Sequence, residues 1–466
     1  MTPRMPHYDP QDLAEWSRGS WTAPPNYPLM AVVHDSRRVP PGSLFVAIQG
    51  VRFDGHDFIS DAVESGAVAA LVDGSYKPPE DPGIPLLIVE DTAQALLDLA
   101  RGFRESSGAL MVGVTGSVGK TSVKEMIGDV LSTQGRTSRT RGNWNNHIGL
   151  PLSLLNMQPR SVFGVFEIGM NAPGEILPLA DVLKPICGVI TEIGAVHMEQ
   201  FASEAEIANE KASLLRSLPP EGVAVLDRDS RWYDFFVRET QARVVDFSFD
   251  REDVAYRVEP AWYNPMKITV HEQATGLAFD YTMPLPGAFI RQNALRAIIT
   301  GREFGLSPQH IAAAIIQYES PEMRWETHVI KDVTFINDAY NANPVSMKAS
   351  FSAFEQMPCH GRKWLALAGM RELGHFEVQG HHAVGIAAGA GPWAGVLVVG
   401  EKGPMLAQGL REASGEHPPC HVCMDLAEAA ERLRGLVQAG DMVLIKGSRG
   451  ERMERILSMC AEWKDS

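Results

Sequence analysis

A glycine-rich run between residues 115 and 121 has the residue types that could bind a triphosphate. It reads Thr115-Gly116-Ser117-Val118-Gly119-Lys120-Thr121 and is followed by Ser122. Glycines let backbone N–H groups close around an anion, and a lysine beside a hydroxyl can reach the terminal phosphates and a Mg²⁺ ion. The usual loop, G-x-x-x-x-G-K-[ST], would need a glycine where this chain has Val114, so the pattern here is the shorter T-G-x-x-G-K-T. The sequence predicts a phosphate-binding loop.

The elements on either side of this loop predict how it is held. Leu110 to Val114 is a short apolar, β-branched run that indicates a buried strand. Helical spacing then follows at the apolar positions Val123, Met126, Ile127 and Val130. A strand, a glycine-rich turn and a helix N-terminus together present amides and a partial positive charge to phosphate. The alternative is a turn that only joins strand to helix, and the Lys-Thr pair between apolar flanks argues against it.

Two further polar residues follow strand candidates that come later in the chain. Glu167 ends the apolar run 162–168, and a carboxylate in such a strand needs a partner, for which a metal ion is a candidate. His197 follows the strand predicted at 188–191, although a lone loop histidine is ordinarily just hydrogen-bonded. In open α/β sheets, ligands bind at the carboxyl ends of the strands, so we expect Glu167 near the phosphate-binding loop.

Length and composition exclude several classes of function. A chain of 466 residues, with 45% hydrophobic and 21% charged residues, is typical of a globular protein of about three domains. The formal net charge of −15 argues against nucleic acid as a partner, whereas a nucleotide needs only a local positive pocket. The five scattered cysteines form no disulfide framework. No signal peptide or membrane-spanning run is visible, so we expect a cytoplasmic protein without a membrane partner.

Three units follow from the alternation of strand and helix patterns. Residues 1–90 predict a small α/β unit, and residues 91–320 a doubly wound parallel sheet that carries the phosphate-binding loop. Residues 321–466 predict a smaller, Rossmann-like sheet. A Pro-rich loop is expected at 77–83, and an antiparallel excursion at 241–286. The predicted fold class is therefore α/β, with a central domain flanked by two smaller ones.

The chain resembles the Mur ligase family along nearly its whole length. The motifs that carry the resemblance stand in the family's order: DSRRVPPGSLFVAIQG and DGHDF near the N-terminus, then VTGSVGKTSVKEM, NWNNHIGLPLSLL, FEIGMNAPGEI, TEIGAVHMEQFAS, NEKASLL, RWE, INDAYNANPVSMKASF, LAGMRELG and LIKGSRGERME. Several co-linear motifs are far more specific than any one of them. GMRELG, followed by a predicted helix with His381 and His382, and no Asp-Asn-Pro-Arg box indicate the branch that adds a dipeptide.

This resemblance implies an ATP-dependent ligase of peptidoglycan precursor synthesis. ATP would phosphorylate the carboxylate of UDP-N-acetylmuramoyl-tripeptide, and the amine of D-alanyl-D-alanine would attack the acyl phosphate. Lys120, Lys211 and His197 are the implied catalytic residues, with Mg²⁺ at two sites. Thr121 and Glu167 would serve one Mg²⁺ and His197 the other, while Lys211 would react with CO₂ to give a carbamate ligand for the metal. The alternative for Lys211 is a plain surface lysine on an amphipathic helix.

The resemblance also implies where the nucleotide and the substrate bind. ATP would lie on residues 115–122 and contact Asn293 and Arg324, with Asp338 and Asn341 closing over it from the third unit. The UDP-sugar and the peptide would contact Ser36, Arg37, Asp54, Gly55, His56, Asn143, Asn145 and Asn146. We expect a monomer.

Three positions depart from the family's usual residues. Gly369 stands in place of Asp, Glu192 in place of Asn, and Glu210 in place of the Ala before Lys211. Glu192 adds a carboxylate that we expect close to the metal. None of these changes removes a loop or metal position, so we expect an active enzyme.

Other classes of function stay open at this point. One is a regulatory P-loop NTPase that binds a partner protein, and another is a nucleotide-sugar binding protein without catalysis. Within the ligases, a different amine acceptor is possible. The tripeptide's third residue can be diaminopimelate or lysine.

Overall fold

The structure is a computed structural model that describes residues 7–50, 52–77, 83–260, 266–283 and 285–463. Its described strands form three sheets, and helices alternate with the strands in each, so the predicted α/β fold class is confirmed. Most of the Pro-rich loop predicted at 77–83 lies outside the described residues. Within the described ranges, no helix combines the length and apolarity needed to cross a membrane.

The first sheet has five short strands. Its strands are β1 (Ser20–Trp21), β2 (Ala31–Val33), β3 (Ser43–Val46), β4 (Ala67–Asp73) and β5 (Leu86–Val89), and the nearby helices are α1 (Pro10–Ser17), α2 (Ile59–Ser65) and α3 (Thr92–Ser106). The strand order is β1-β5-β4-β3-β2, and only β1 runs antiparallel to its neighbour. The side chain of Asp91 caps α3 by accepting the N–H groups of Ala93 and Gln94.

The second sheet has nine strands and carries the phosphate-binding loop. Its strands are β6 (Leu110–Thr115), β7 (Thr137–Arg139), β8 (Phe163–Glu167), β9 (Cys187–Ile190), β10 (Val223–Asp227), β11 (Arg243–Ser248), β12 (Tyr256–Pro260), β13 (Lys267–Glu272) and β14 (Leu277–Thr282). The helices are α4 (Lys120–Ser132), α5 (Gly149–Leu155), α6 (Ile176–Leu183), α7 (Glu204–Arg216), α8 (Tyr233–Arg238), α9 (Ala288–Glu303) and α10 (Pro308–Ile316).

Strand β6 lies inside this sheet, whose order is β14-β13-β12-β11-β10-β9-β6-β8-β7. Met111 packs into the core on one face, and Val112 and Val114 pack into the core on the other, so the strand is buried on both sides. Strands β8 and β9 flank β6 in parallel, which brings the residues after all three strands to one edge.

The antiparallel excursion predicted at 241–286 is wrong in its first part. Strand β11 is parallel to β10, and β12 is parallel to β11. Helix α8 lies between β10 and β11 and provides the crossover that a parallel pair needs. Only the pairs β12–β13 and β13–β14 are antiparallel.

The third sheet has six strands in the order β15-β16-β20-β17-β18-β19. These are β15 (Glu326–Ile330), β16 (Val333–Asn337), β17 (Lys363–Ala368), β18 (Gly395–Val399), β19 (Cys420–Cys423) and β20 (Met442–Lys446), with helices α11 (Pro344–Gln356), α12 (Glu377–Gly389), α13 (Gly403–Arg411), α14 (Leu426–Leu436) and α15 (Arg455–Ala461). The edge strands β15 and β19 were not predicted. Both are half exposed and lack the continuous apolar run that indicates a buried strand.

The first and third units each contact the central unit. Asn156, after α5, donates its side-chain amide to the backbone oxygen of Val32 in β2 at 2.8 Å. On the other side, a Cβ on Gly287 would come within 2.7 Å of the Ala353 Cβ, because α9 and α11 pack closely. The two outer units therefore contact different elements of the central unit.

Candidate active site

The turn between β6 and α4 depends on two glycines. Gly116 has a φ of +154° and Gly119 a φ of +89°, both in the region that side chains disfavour. A Cβ on Gly116 would lie 1.8 Å from Thr191 Oγ1, and one on Gly119 would lie 2.7 Å from Asn293 Oδ1. Both residues must therefore be glycine. Ser117 N–H donates to the backbone oxygen of Glu192 at 2.7 Å, which ties the turn to the segment after β9.

Lys120 and Thr121 begin α4 and point their polar groups to the edge of the sheet. The Lys120 ammonium donates to the backbone oxygen of Gly116 at 2.9 Å. Burial lowers the pKa of Lys120, while the carboxylates of Glu167 and Glu372 act in the opposite direction. The Thr121 hydroxyl donates to Glu167 Oε2 at 2.7 Å. The lysine, the hydroxyl and the predicted carboxylate are thus brought together.

Glu167 is 2% exposed and has both carboxylate oxygens occupied. Thr121 binds Oε2, and the Asn145 side-chain amide donates to Oε1 at 2.7 Å. Among the described residues, no cluster of three His, Cys, Asp or Glu side chains could hold a metal alone. Mg²⁺ is usually bound by one or two carboxylates together with substrate phosphates. A threonine hydroxyl beside one carboxylate therefore fits a Mg²⁺ shared with a nucleotide.

Lys211 is buried, so the surface-lysine alternative is wrong. It lies on α7 and is 1% exposed. Burial holds its pKa well below the usual value, and the nearby charge of Lys120 lowers it further, whereas Glu210 and Glu167 oppose this effect. A lowered pKa favours the neutral amine. Helix α7 packs against β6, the strand that leads into the phosphate-binding loop, and the charges of Lys120 and Glu167 act on Lys211.

The Glu210 carboxylate has a structural use. It accepts the N–H groups of Gly174 at 2.8 Å and Ile176 at 2.9 Å, and so caps the start of α6. Glu210, which stands where the family usually has Ala, therefore links α7 to α6 next to Lys211.

His197 contacts the third unit. Its Nδ1 lies 2.7 Å from Glu372 Oε2, and the N–H of Met198 donates to the backbone oxygen of Glu372 at 3.0 Å. His197 and Glu372 have φ values of 53° and 63°, which non-glycine residues rarely adopt. The hydrogen bond to His197 is the main reason that the pKa of Glu372 is lowered. Glu372 was not predicted as a site residue, although it lies in the quoted stretch LAGMRELG.

Most of the predicted nucleotide residues line one cleft of about 330 Å³ between the second and third sheets, whereas Thr115 and Gly116 are not among its described lining residues. It is lined by residues 117–122, Asn293, Arg324, Asp338 and Asn341. The Arg324 guanidinium lies 4.0 Å from the centre of the Tyr340 ring. Asp338 accepts from the Lys446 ammonium at 2.5 Å and from the Ser350 hydroxyl at 2.7 Å. Tyr340 and Lys446 were missed, though both lie in quoted motifs.

A second cavity lies next to the nucleotide cleft and shares Lys120, Glu167 and Arg324 with it. It is also lined by Asn143, Asn145, Asn146, His197, Asn341, Arg371 and Glu372. The Asn146 side chain accepts the N–H of Gly149 at 2.8 Å at the start of α5. The predicted asparagines therefore lie beside the phosphate-binding loop.

The residues predicted for the uridine diphosphate end lie away from these cavities. None of Ser36, Arg37, Asp54, Gly55 and His56 is among the described residues that line either one. The exposed Arg37 pairs with Asp35 at 2.8 Å, which lowers the pKa of that carboxyl to about 2. The first unit contacts the segment that holds the predicted asparagines, because the ring of His34 lies 5.9 Å from the ring of Trp144, the residue after Asn143.

Within the first unit, Asp54 and His56 support a local turn. His56 is 7% exposed, and its Nδ1 lies 2.6 Å from Asp54 Oδ1. Its Nε2 accepts the N–H of Asp73 at 3.2 Å. A Cβ on Gly55 would lie 2.5 Å from the Ile48 nitrogen, so this position requires glycine.

Glu192 and Gly369, two of the positions that depart from the family's usual residues, have distinct surroundings. Desolvation raises the pKa of Glu192, and the charges that act on it are those of Arg296, Asp227 and Arg231. Glu192 lines the same cleft as Lys120, Thr121 and Glu167, so its expected place near the metal stays a prediction. At Gly369, a Cβ would lie 2.8 Å from Lys402 Cγ, so the lysine stem fills the space of the usual Asp.

Comparison with known proteins decides the family. Residues 29–104 match the family model "Mur ligase family, catalytic domain", residues 114–301 match "Mur ligase middle domain", and residues 323–449 match "Mur ligase, glutamate ligase domain". A Bacillus subtilis (strain 168) protein named UDP-N-acetylmuramoyl-tripeptide--D-alanyl-D-alanine ligase is 33% identical over 457 residues, which cover 96% of this chain and 97% of the relative. The chain belongs to the Mur ligase family.

Other relatives agree with this assignment. An Escherichia coli (strain K12) protein of the same name is 33% identical, with 93% of this Mur ligase and 94% of the relative covered. A crystal structure of MurF from Acinetobacter baumannii matches with a TM-score of 0.89 at 28% identity, covering 99% of this chain and 100% of that one. MurF ligase from Thermotoga maritima in complex with ADP matches with a TM-score of 0.80 at 26% identity, covering 93% and 97%.

Proposed function

We propose that this Mur ligase joins D-alanyl-D-alanine to UDP-N-acetylmuramoyl-tripeptide and converts ATP to ADP and phosphate. The observation that carries the proposal is the match over nearly the full length to relatives named for this reaction. The likeness to an ADP-bound MurF supports ATP as the nucleotide. We place the reaction in the cytoplasm, as the last peptide addition to the peptidoglycan precursor.

The proposed reaction has two steps, and the residues around the loop serve both. The tripeptide carboxylate first attacks the γ-phosphorus of ATP, and ADP leaves. The acceptor amine then attacks the acyl carbon, and phosphate leaves. The Lys120 ammonium, at the start of α4, balances the phosphate charges, while Asn293, Arg324, Asp338 and Asn341 line the nucleotide cleft.

Two Mg²⁺ ions belong to this proposal. Thr121 and Glu167 would hold one, and His197 the other, with its Nδ1 oriented by Glu372 and its Nε2 as the ligand atom. Bound Mg²⁺ supplies charge neutralisation between phosphate and carboxylate. Activity is expected to require added Mg²⁺ in about the millimolar range and to cease in excess chelator, because substrate-shared ions are weakly held. Full turnover after exhaustive chelation would contradict the metal assignment.

A carbamate on Lys211 completes the proposed metal environment. The neutral amine, which burial favours here, adds to CO₂ and releases one proton to give an anionic oxygen ligand. The electrostatic coupling of Lys211 to Lys120 and Glu167 supports this role.

The test of the proposed function is phosphate release from ATP with UDP-N-acetylmuramoyl-tripeptide and a panel of amines. The panel contains D-alanyl-D-alanine, L-alanyl-L-alanine, single amino acids and no acceptor, each with diaminopimelate- and lysine-containing tripeptides. Phosphate release that depends on both the tripeptide and D-alanyl-D-alanine is expected. Release without any acceptor would favour a regulatory NTPase, and a preference for another amine would reassign the acceptor.

A further inference from the structure

Glu372 has a carboxylate oxygen that is left to bind a ligand in the cavity beside Lys120. The acidic side chains among the described lining residues of this cavity are Glu167 and Glu372. Glu167 is buried, and both of its oxygens are occupied by Thr121 and Asn145. Glu372 uses Oε2 for His197, whereas no hydrogen bond within the described ranges involves its Oε1. Its side chain remains 55% exposed.

The cavity that Glu372 lines also contains several cations. Lys120 is one of its lining residues. Arg324 and Arg371 also line the cavity, so most lining charges are positive. These cations suit phosphate and carboxylate groups, but they repel a second, positively charged substrate.

The backbone around Glu372 is held in an unusual conformation. Glu372 has a φ of 63°, and its partner His197 a φ of 53°. A Cβ on Gly374 would come within 3.0 Å of the Met198 backbone oxygen, so the segment after Glu372 packs tightly on the second unit. Such strain persists where surrounding contacts over-determine it, and it concentrates at functional sites. The carboxylate is thereby held in place when the second and third units are in contact.

We propose that Glu372 binds the ammonium group of the acceptor amine and so positions it beside the acyl phosphate. The inference rests on the proposed ligase function, in which the second substrate enters as an ammonium ion. A carboxylate with a free oxygen is the partner that such a cation needs in a partly desolvated cavity. The phosphate side of the cavity, with Lys120 and Arg324, is unsuited to it.

The reaction balances without further reactants. The bound ammonium loses one proton to solvent, and the resulting amine attacks the acyl carbon. The C–N bond forms, the C–O bond to phosphate breaks, and phosphate leaves with that electron pair. The nitrogen then loses a second proton to solvent to give the neutral amide. Glu372 acts here by binding and orienting the amine.

The test separates formation of the acyl phosphate from capture by the charged amine. Hydroxylamine is uncharged at neutral pH and traps an acyl phosphate as a hydroxamate. With ATP and the tripeptide, Glu372→Gln is expected to form hydroxamate within about twofold of the parent rate. Its kcat/KM for D-alanyl-D-alanine should fall about 10- to 100-fold, mainly through KM, because a hydrogen bond to a charged group is lost. KM values for ATP and tripeptide should stay unchanged.

Two further variants keep the result interpretable. Glu372→Asp keeps the charge and is expected to recover part of the affinity for the dipeptide. Glu377→Gln is the matched control, since Glu377 pairs with Lys402 at 2.8 Å and does not line the cavity; it should behave like the parent. Thermal unfolding of each variant checks the fold.

Each other outcome has a defined meaning. An unchanged KM for D-alanyl-D-alanine in Glu372→Gln would overturn the inference. So would an equal loss of hydroxamate formation and ligation, because Glu372 would then act in the first step, through His197. If the parent enzyme forms hydroxamate but does not join D-alanyl-D-alanine to the tripeptide, the acceptor assignment fails. If it forms neither, the proposed function itself fails.

Discussion

At the scale of single residues, the site consists of polar groups whose hydrogen-bond partners are brought to them by folding. Lys120 contacts the backbone of its own loop, whereas Glu167 joins Thr121 from α4 and Asn145 from the loop before α5. The loop lysine, the threonine hydroxyl and the carboxylate thus come together from separate parts of the chain.

Lys120→Ala is expected to lower kcat at least about 100-fold, because it removes a group that stabilises charge in phosphoryl transfer. Stability should change little, since the ammonium donates to the loop's own Gly116 oxygen. Steady-state kinetics and thermal unfolding would check this. Lys267→Ala, at an exposed position on β13, is the control. Near-normal turnover of Lys120→Ala would refute the role of the loop lysine.

Lys211→Ala should abolish ligation without unfolding the protein, and added acetate or formate should restore part of the activity. The alanine leaves a gap in a buried place, and a small carboxylate can supply the anionic oxygens of the lost carbamate. The same additives should not rescue Lys120→Ala. A crystal structure near neutral pH is expected to have extra density on the Lys211 ε-nitrogen. Retained activity in Lys211→Ala would exclude the carbamate. So would a crystal structure of the parent in which the Lys211 ε-nitrogen has no extra density.

At the scale of elements, strand ends and helix starts determine the position of the site residues. The turn after β6 is enclosed by the segment after β9 on one side and by α9 on the other, through Thr191 and Asn293. Close approach on both sides favours glycine at both positions, and the start of α4 provides a helix N-terminus for phosphate. The loop's conformation thus depends on two neighbours far away in the chain.

Gly116→Ala is expected to weaken ATP binding about 10-fold or more. The new Cβ would lie 1.8 Å from Thr191 Oγ1 at a φ of +154°, so the turn must move, at a cost of about 1–3 kcal/mol. Calorimetric titration with ATP and thermal unfolding measure both effects. Gly108→Ala, where no atom lies within 4 Å of the new Cβ, is the matched control and should be neutral. Equal ATP affinity in both variants would contradict this account of the turn.

At the scale of the whole molecule, the active site belongs to no single unit. The second unit provides the loop and Glu167, and the third provides Asp338 and Asn341, so the nucleotide cleft is complete only when both are apposed. The Glu372 side chain and backbone reach across to His197 and Met198. Separately folded units with polar contacts of this kind move by default.

We expect an open form without ligands and a closed form with ATP and tripeptide bound. Closure would exclude water from the acyl phosphate before the acceptor attacks. Small-angle scattering should give a smaller radius of gyration with both ligands than with neither. The control is the Lys120→Ala variant mixed with ATP and tripeptide. Its radius of gyration should decrease less than that of the parent protein. Identical profiles for the free and the doubly liganded protein would count against closure.

The sequence by itself determined the local elements and the order of the parts. The phosphate-binding loop, its strand and its helix are contiguous, so residue types and spacing were enough to predict them. The α/β class followed from alternating patterns for the same reason, and co-linear motifs carried the family. The domain boundaries and the roles of the site residues stay predictions, because no contact within the fold tests a role directly.

Only the tertiary structure decided which distant groups meet. His197 and Glu372 are far apart in the chain, and a sequence carries no signal for a contact between two loops. Lys211 has the same helical spacing whether its face of α7 is exposed or packed, so its burial depended on the neighbouring elements. The parallel direction of β11 depended likewise on the path of α8. Burial and pairing are properties of packing, and packing brings together residues that the chain separates.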